Sequence, residues 1–204
     1  WQALLPPDTD VTCAIKSNGA NSCVDLQLRT NNSTVIRGAL VFGEQLFEGE
    51  SLYVSPKGAT SEITIPVRPN RDVPVDVMIK VFVSSSSNSP VYKIFEMDAR
   101  LSKFCMFEFC DPDRIQAPDS YVQFSVNERV HRIAIWLEDR FNVATNVESD
   151  TNQLDACFMH LRTQMPLCIR MLPQPGAPAT VWVRTDDMEV AAEIVQDLAG
   201  YLGL

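Results

Sequence analysis

The sequence predicts an antiparallel, immunoglobulin-like β-sandwich followed by a small α+β domain. Three observations predict it. About eight short apolar runs recur at even spacing through the first half, each bounded by Gly, Pro, Asn or Ser. The stretch 111–120 is polar and holds two prolines. Beyond it, two segments change from period-two alternation to helical spacing.

The expected strands of the first domain cover 11–16, 22–28, 34–42, 51–54, 62–67, 75–84, 91–97 and 103–109. Breakers separate them: Asn18-Gly19, Asn31-Asn32, Gly49, Pro56 with Gly58, Pro69-Asn70, the serine-rich tract 84–90, and Asp111-Pro112. Ile63 and Ile65 alternate with Glu62 and Thr64, the pattern of a strand with one face buried. The serine-rich tract lies between two good strands and reads as a hairpin loop, not a linker. The domains are therefore expected over 8–112 and 119–204, with the boundary between them.

The second domain begins with a strand at 121–126. Ser125-Val126-Asn127-Glu128 fits a capping box, in which a serine hydroxyl and a glutamate satisfy the first free amides of a helix. Val130, Ile133, Ala134, Leu137 and Phe141 follow at helical spacing. Strands are expected at 156–161, 167–172 and 180–184. A second helix starts from Thr185-Asp186-Asp187, with acids at its positive end, and its apolar stripe is Met188, Ala191, Val195, Leu198 and Leu202. The order strand, helix, three strands, helix implies an antiparallel sheet with both helices on one face.

Composition narrows the function. Hydrophobic residues make up 46% and charged residues 21%, and the net charge is −9. An acidic surface repels phosphate backbones and anionic headgroups, so neither nucleic acid nor a membrane surface is an expected partner. No apolar run approaches the roughly 18–20 residues of a membrane span, so no direct insertion is expected. The chain starts at Trp1 without a basic, apolar leader and reads as a segment of a longer protein. The six cysteines include no Cys-x-x-Cys pair, so no metal is expected. Most lie in apolar runs and read as buried free thiols. Two overlapping glycosylation sequons at 31–34 keep an extracellular adhesion sandwich as an alternative.

Nothing assembles into a catalytic motif, and no cofactor is expected. His131 and His160 lack a nucleophile context, and no glycine-rich phosphate cradle occurs. Glu44, Glu48 and Glu50 lack the Asp/Asn density of a calcium loop. Candidate partner-binding residues come from surface geometry instead. At about 100° per residue, Arg129, Arg132, Trp136 and Arg140 fall within roughly an 80° arc on the flank of the first helix. Arginine around an exposed tryptophan is the composition of an interface hot spot. The same residues also suit a Trp136 partly buried at the domain junction, with the arginines solvated or paired with Glu128 and Asp139. Trp182 shares a sheet face with Thr180 and Arg184, opposite Val181 and Val183, and is either covered or a binding surface.

One run is long enough to be specific: Val35-Ile36-Arg37-Gly38-Ala39-Leu40-Val41-Phe42-Gly43-Glu44-Gln45-Leu46-Phe47-Glu48-Gly49-Glu50-Ser51. With Asp72-Val73-Pro74-Val75-Asp76, Phe95-Glu96, the segment 121–137 and Thr185-Asp186-Asp187, it resembles the second Bardet-Biedl syndrome protein family, subunits of the BBSome. The resemblance implies a gamma-adaptin-ear-like sandwich followed by a platform domain, an antiparallel sheet with two helices on one face, with no catalytic residue to carry over. It implies a coat adaptor that traffics membrane proteins to and from cilia. Its expected partners are other BBSome subunits of the propeller-ear-platform type, membrane-protein cargo tails, and, through the complex, an Arf-like GTPase. Its expected location is cytoplasmic, at the cilium or flagellum, the basal body and, peripherally, the ciliary membrane. An adaptor appendage that captures short accessory-protein peptides is the nearest alternative.

Overall fold

Period-two alternation in the first half produces two sheets in the computed structural model, which describes residues 5–143 and 153–204. The chain divides between Lys103 and Phe104 into two units. In the first, β1 (Val11–Asn18), β2 (Cys23–Thr30), β3 (Val35–Gly43), β4 (Ser51–Val54), β5 (Glu62–Val67), β6 (Val75–Ser84) and β7 (Lys93–Leu101) pair antiparallel throughout. One sheet has the order β1-β2-β5 and the other β4-β3-β6-β7. The buried positions alternate as the pleat requires. Leu26, Leu28 and Ile65 line one inner face, and Ile36, Val41, Ile79, Val81 and Val83 line the other, all without solvent exposure. Burying each such side chain contributes about 1.5–3 kcal/mol. The sandwich expected from the alternation is the fold of this unit.

The sequon turn is closed by its own amides. Asn31 donates from Nδ2 to the Asp8 carbonyl, and Asn32 donates from Nδ2 to the Thr9 hydroxyl at 2.9 Å.

In the second unit β8 (Phe107–Cys110), β9 (Tyr121–Val126), α1 (Val130–Phe141), β10 (Leu154–His160), β11 (Pro166–Gln174), β12 (Ala177–Arg184) and α2 (Met188–Leu202) build one five-stranded sheet, order β8-β10-β11-β12-β9, with two helices. Ala156, Ile169 and Val183 are cross-strand neighbours on one face. They share a single core with Ile133, Leu137 and Phe141 of α1 and Ile194 and Leu198 of α2. Phe141 stacks on Phe104 and Phe158 at 4.9 and 4.3 Å, which anchors the end of α1.

Several sequence expectations need correction here. The run 103–109 is not an eighth sandwich strand: Phe107–Cys110 pairs with β10, with Phe107 opposite His160 and Cys110 opposite Cys157. The chain therefore divides before the polar stretch 111–120, which instead joins β8 to β9 through a 3-10 turn at Pro112–Arg114. Proline and aspartate mark where a chain turns, but they do not say which sheet the next strand joins. The capping box is also not used. β9 runs on through Val126, and α1 opens at Arg129, which makes no side-chain cap bond. On α2 the buried stripe is Ala191, Ile194 and Leu198, while Met188 is 84% exposed. Finally, Cys157 and Cys168 sit directly opposite each other on β10 and β11 and form a disulfide. Cys13, Cys23, Cys105 and Cys110 take part in no disulfide among the described residues.

Candidate functional site

Helical spacing does bring Arg132, Trp136 and Arg140 to one flank of α1, and the tertiary structure then covers that flank with α2. Trp136 is fully buried, and its Nε1 donates to Asp197 Oδ1 at 2.8 Å. Arg140 donates from Nε to the same oxygen, also at 2.8 Å, and pairs with Asp139. Arg132 donates to Glu128 one turn earlier and lies 5.8 Å from the centre of the Tyr201 ring. Arg129, at the helix start, is only partly exposed. An exposed tryptophan ringed by arginines is thus not what α1 presents. Helical angles locate a flank, but they cannot say that a second helix packs on it.

Trp182 lies on the sheet face opposite the helices, in register with Arg170 on one side and Gln123 on the other. Its Nε1 donates to Gln123 Oε1 at 3.0 Å, and it stays partly exposed. Next to it the Arg184 guanidinium lies 5.0 Å from the centre of the Tyr121 ring and donates to the Pro118 carbonyl at 3.1 Å. Polar bonds on this face hold flat side chains against the strands.

The histidines do not come together around a nucleophile. His131 points outward from α1, whereas His160 is buried with Nδ1 2.7 Å from the Thr163 hydroxyl and its ring 4.6 Å from Phe107. Among the described residues no His, Cys, Asp and Glu cluster has the geometry to hold a metal. No helix there is long and apolar enough to cross a membrane. Burial pushes the Cys13, Cys23 and Cys110 thiols up from their ordinary range, and Asp25 adds to the effect at Cys23 and Glu108 at Cys110. Each therefore holds less thiolate at neutral pH than an ordinary cysteine.

A site that sequence reasoning missed lies in the first unit. Tyr53 of β4, Phe82 of β6 and Tyr92 form an edge-on series, with ring centres 6.3 and 5.6 Å apart. With Arg37 and Lys57 they line an open groove of about 570 Å³. Gly38 makes room for Tyr53 to lie across β3, since a Cβ there would come within 2.6 Å of the Tyr53 hydroxyl. No carboxylate lines this groove, in a chain of net charge −9. The residues come from three strands and two loops, so no local motif announces it. The available signal was Tyr53 and Phe82 at outward positions of strands whose inward positions are aliphatic.

Comparison with known families is decisive for the chain as a whole. A family model of the BBS2 GAE domain matches residues 18–104, and one of the BBS2 platform domain matches residues 95–202. The chain belongs to the BBS2 family. The BBSome complex member BBS2 of Mus musculus is 34% identical over 209 aligned residues, covering 100% of this chain and 28% of that protein. The Homo sapiens BBS2 is 30% identical, covering 96% and 27%, and the Caenorhabditis elegans bbs-2 is 28% identical, covering 97% and 28%. The chain thus spans little more than a quarter of the length of the curated relatives it matches. The BBS2 GAE domain is the ear-like sandwich described above, and the BBS2 platform domain is the five-stranded sheet with its two helices.

Proposed function

We propose that this chain is the docking part of a BBSome subunit, a non-catalytic scaffold in a coat adaptor that traffics membrane proteins to and from cilia. The observation that carries the reading is that the two BBS2 domain models follow one another along almost the whole chain. Relatives that match almost all of this chain, over little more than a quarter of their own length, are named as members of the BBSome complex. Its partners are the other BBSome subunits of the propeller-ear-platform type. Cargo tails and an Arf-like GTPase are met through the assembled complex. The protein works in the cytoplasm, at the basal body and cilium and peripherally on the ciliary membrane. The family match supports this reading over an extracellular adhesion sandwich, although the Cys157–Cys168 bond of the second unit would suit an oxidising compartment. The test is co-purification. The full-length subunit is expected to recover the other subunits, and a version lacking residues 104–204 is expected to recover fewer of them. Undiminished recovery after that deletion discards the reading.

The groove of Tyr53, Phe82 and Tyr92 supports a second reading, an appendage that binds short peptides. Aromatic walls beside Arg37 and Lys57 fit a segment with an aromatic residue among acids. Calorimetric titration with such a peptide is expected to show binding that Tyr92→Ala and Lys57→Glu each weaken about tenfold, roughly 1.4 kcal/mol. No heat at millimolar peptide removes this reading.

A further inference from the structure

Six strands lie at sheet edges among the described residues: β1 and β5, β4 and β7, β8 and β9. A free edge offers a row of unpaired N–H and C=O groups to any passing strand, and folded proteins blunt it with charge, proline, bulges or brevity. Five of these edges carry such a device. β1 holds Lys16, β5 holds Glu62 and Pro66, and β7 holds Lys93, Glu96, Asp98 and Arg100. β4 and β8 have four residues each. β9, Tyr121–Val126, has none of them: it is six residues of Tyr, Val, Gln, Phe and Ser, uncharged, without proline, and in unbroken register with β12.

The edge is also open. Tyr121 is 53% and Val122 40% exposed, and Gln123 and Ser125 are exposed beside them. On the side away from β12 no hydrogen-bond partner meets the β9 backbone among the described residues. On its other side the strand is tied to β12 by the Trp182–Gln123 bond and by Arg184 against Tyr121. An uncharged, β-prone edge in unbroken register with its sheet is the structure that accepts an added strand.

We propose that the free edge of β9 is a docking site at which an extended, uncharged strand from a different, non-acidic protein chain joins the sheet of the second unit. Charge selects the occupant. Residues 104–204 hold fifteen acidic against seven basic side chains, so a second copy would bring two strongly acidic units edge to edge. A neutral or basic partner meets no such repulsion. The location rests on the geometry of β9, and only the identity of the partner as a fellow subunit rests on the scaffold reading.

Amide hydrogen exchange tests it in two arms. In the first, the chain is mixed with a synthetic peptide of alternating Thr and Val closed by a lysine at each end. Exchange across 121–126 is expected to slow roughly tenfold while 93–101 stays unchanged. Val122→Lys with Ser125→Lys is expected to abolish the protection, with thermal unfolding unaltered. Protection that needs no peptide and grows with chain concentration makes the occupant a second copy and overturns the proposal; so does the absence of any protection. In the second arm, the full-length subunit is compared alone and assembled with the other subunits. Protection of 121–126 appearing only on assembly supports the proposal. Protection already present in the subunit alone, or an assembly that leaves β9 exchanging freely, overturns it. Failure to assemble at all counts against the scaffold reading, and the peptide arm still decides β9.

Discussion

The indole N–H of Trp136 on α1 donates to the carboxylate of Asp197 on α2 at 2.8 Å, and the oxygen that accepts it also accepts from Arg140. Two helices far apart in sequence are joined through one acceptor, at a place where the ring is fully buried. The tryptophan therefore serves the fold of the second unit.

Removing the acceptor is expected to strand a buried donor. Asp197→Ala should cost about 1–3 kcal/mol of stability and Trp136→Ala about 3–5 kcal/mol, the latter adding a cavity to the lost bond. Urea denaturation monitored by circular dichroism checks both. An unchanged midpoint for Asp197→Ala would show the tie to be idle.

The helix starts give a sharper contrast. Asp187 accepts from the Glu189 and Val190 amides at 2.9 and 3.2 Å, so it caps α2. Asp187→Ala should lose about 0.5–2 kcal/mol, whereas Ser125→Ala should lose almost nothing because Ser125 is an exposed strand residue. Equal losses at the two positions would mean that the serine caps α1 after all.

Oxidation state should be visible at one pair. Peptide mapping without reductant is expected to recover Cys157 joined to Cys168, with Cys13, Cys23, Cys105 and Cys110 alkylated after unfolding. The bond closes a short loop, and its removal by reductant or Cys168→Ser should lower the stability of the second unit by about 2–4 kcal/mol. Six alkylated thiols in the unreduced protein would refute the pairing.

Cys110 gives the pH dependence. Burial first and the Glu108 carboxylate second raise its pKa, so at a given pH it holds less thiolate than an ordinary cysteine. Because the folded value lies above the unfolded one, the favourable contribution of this group is complete below the ordinary thiol pKa of about 8.5 and is lost as pH rises through the folded value. Iodoacetamide labelling of the native protein should lag behind a model thiol at pH 7–8 and catch up only in more alkaline buffer. Labelling at Cys110 as fast as the model thiol contradicts the raised value.

The alternation of Ile63 and Ile65 with Glu62 and Thr64, and the helical spacing of Val130, Ile133, Leu137 and Phe141, were enough to establish a sandwich followed by a sheet with two helices. Such patterns are local, because burial of one face is written into the residues that make it. The family resemblance carried by the run 35–51 was legible for the same reason: a contiguous segment can be compared as it stands.

Everything that depended on a distant neighbour was decided by the tertiary structure alone. It placed Phe107–Cys110 in the second sheet, set Cys157 opposite Cys168, and laid Asp197 over Trp136. It also gathered Tyr53, Phe82 and Tyr92 into one groove and left β9, among the described residues, without a neighbouring strand on one side. Register and helix contact are set by the summed packing of many residues far apart in the chain, so no single stretch of sequence encodes them.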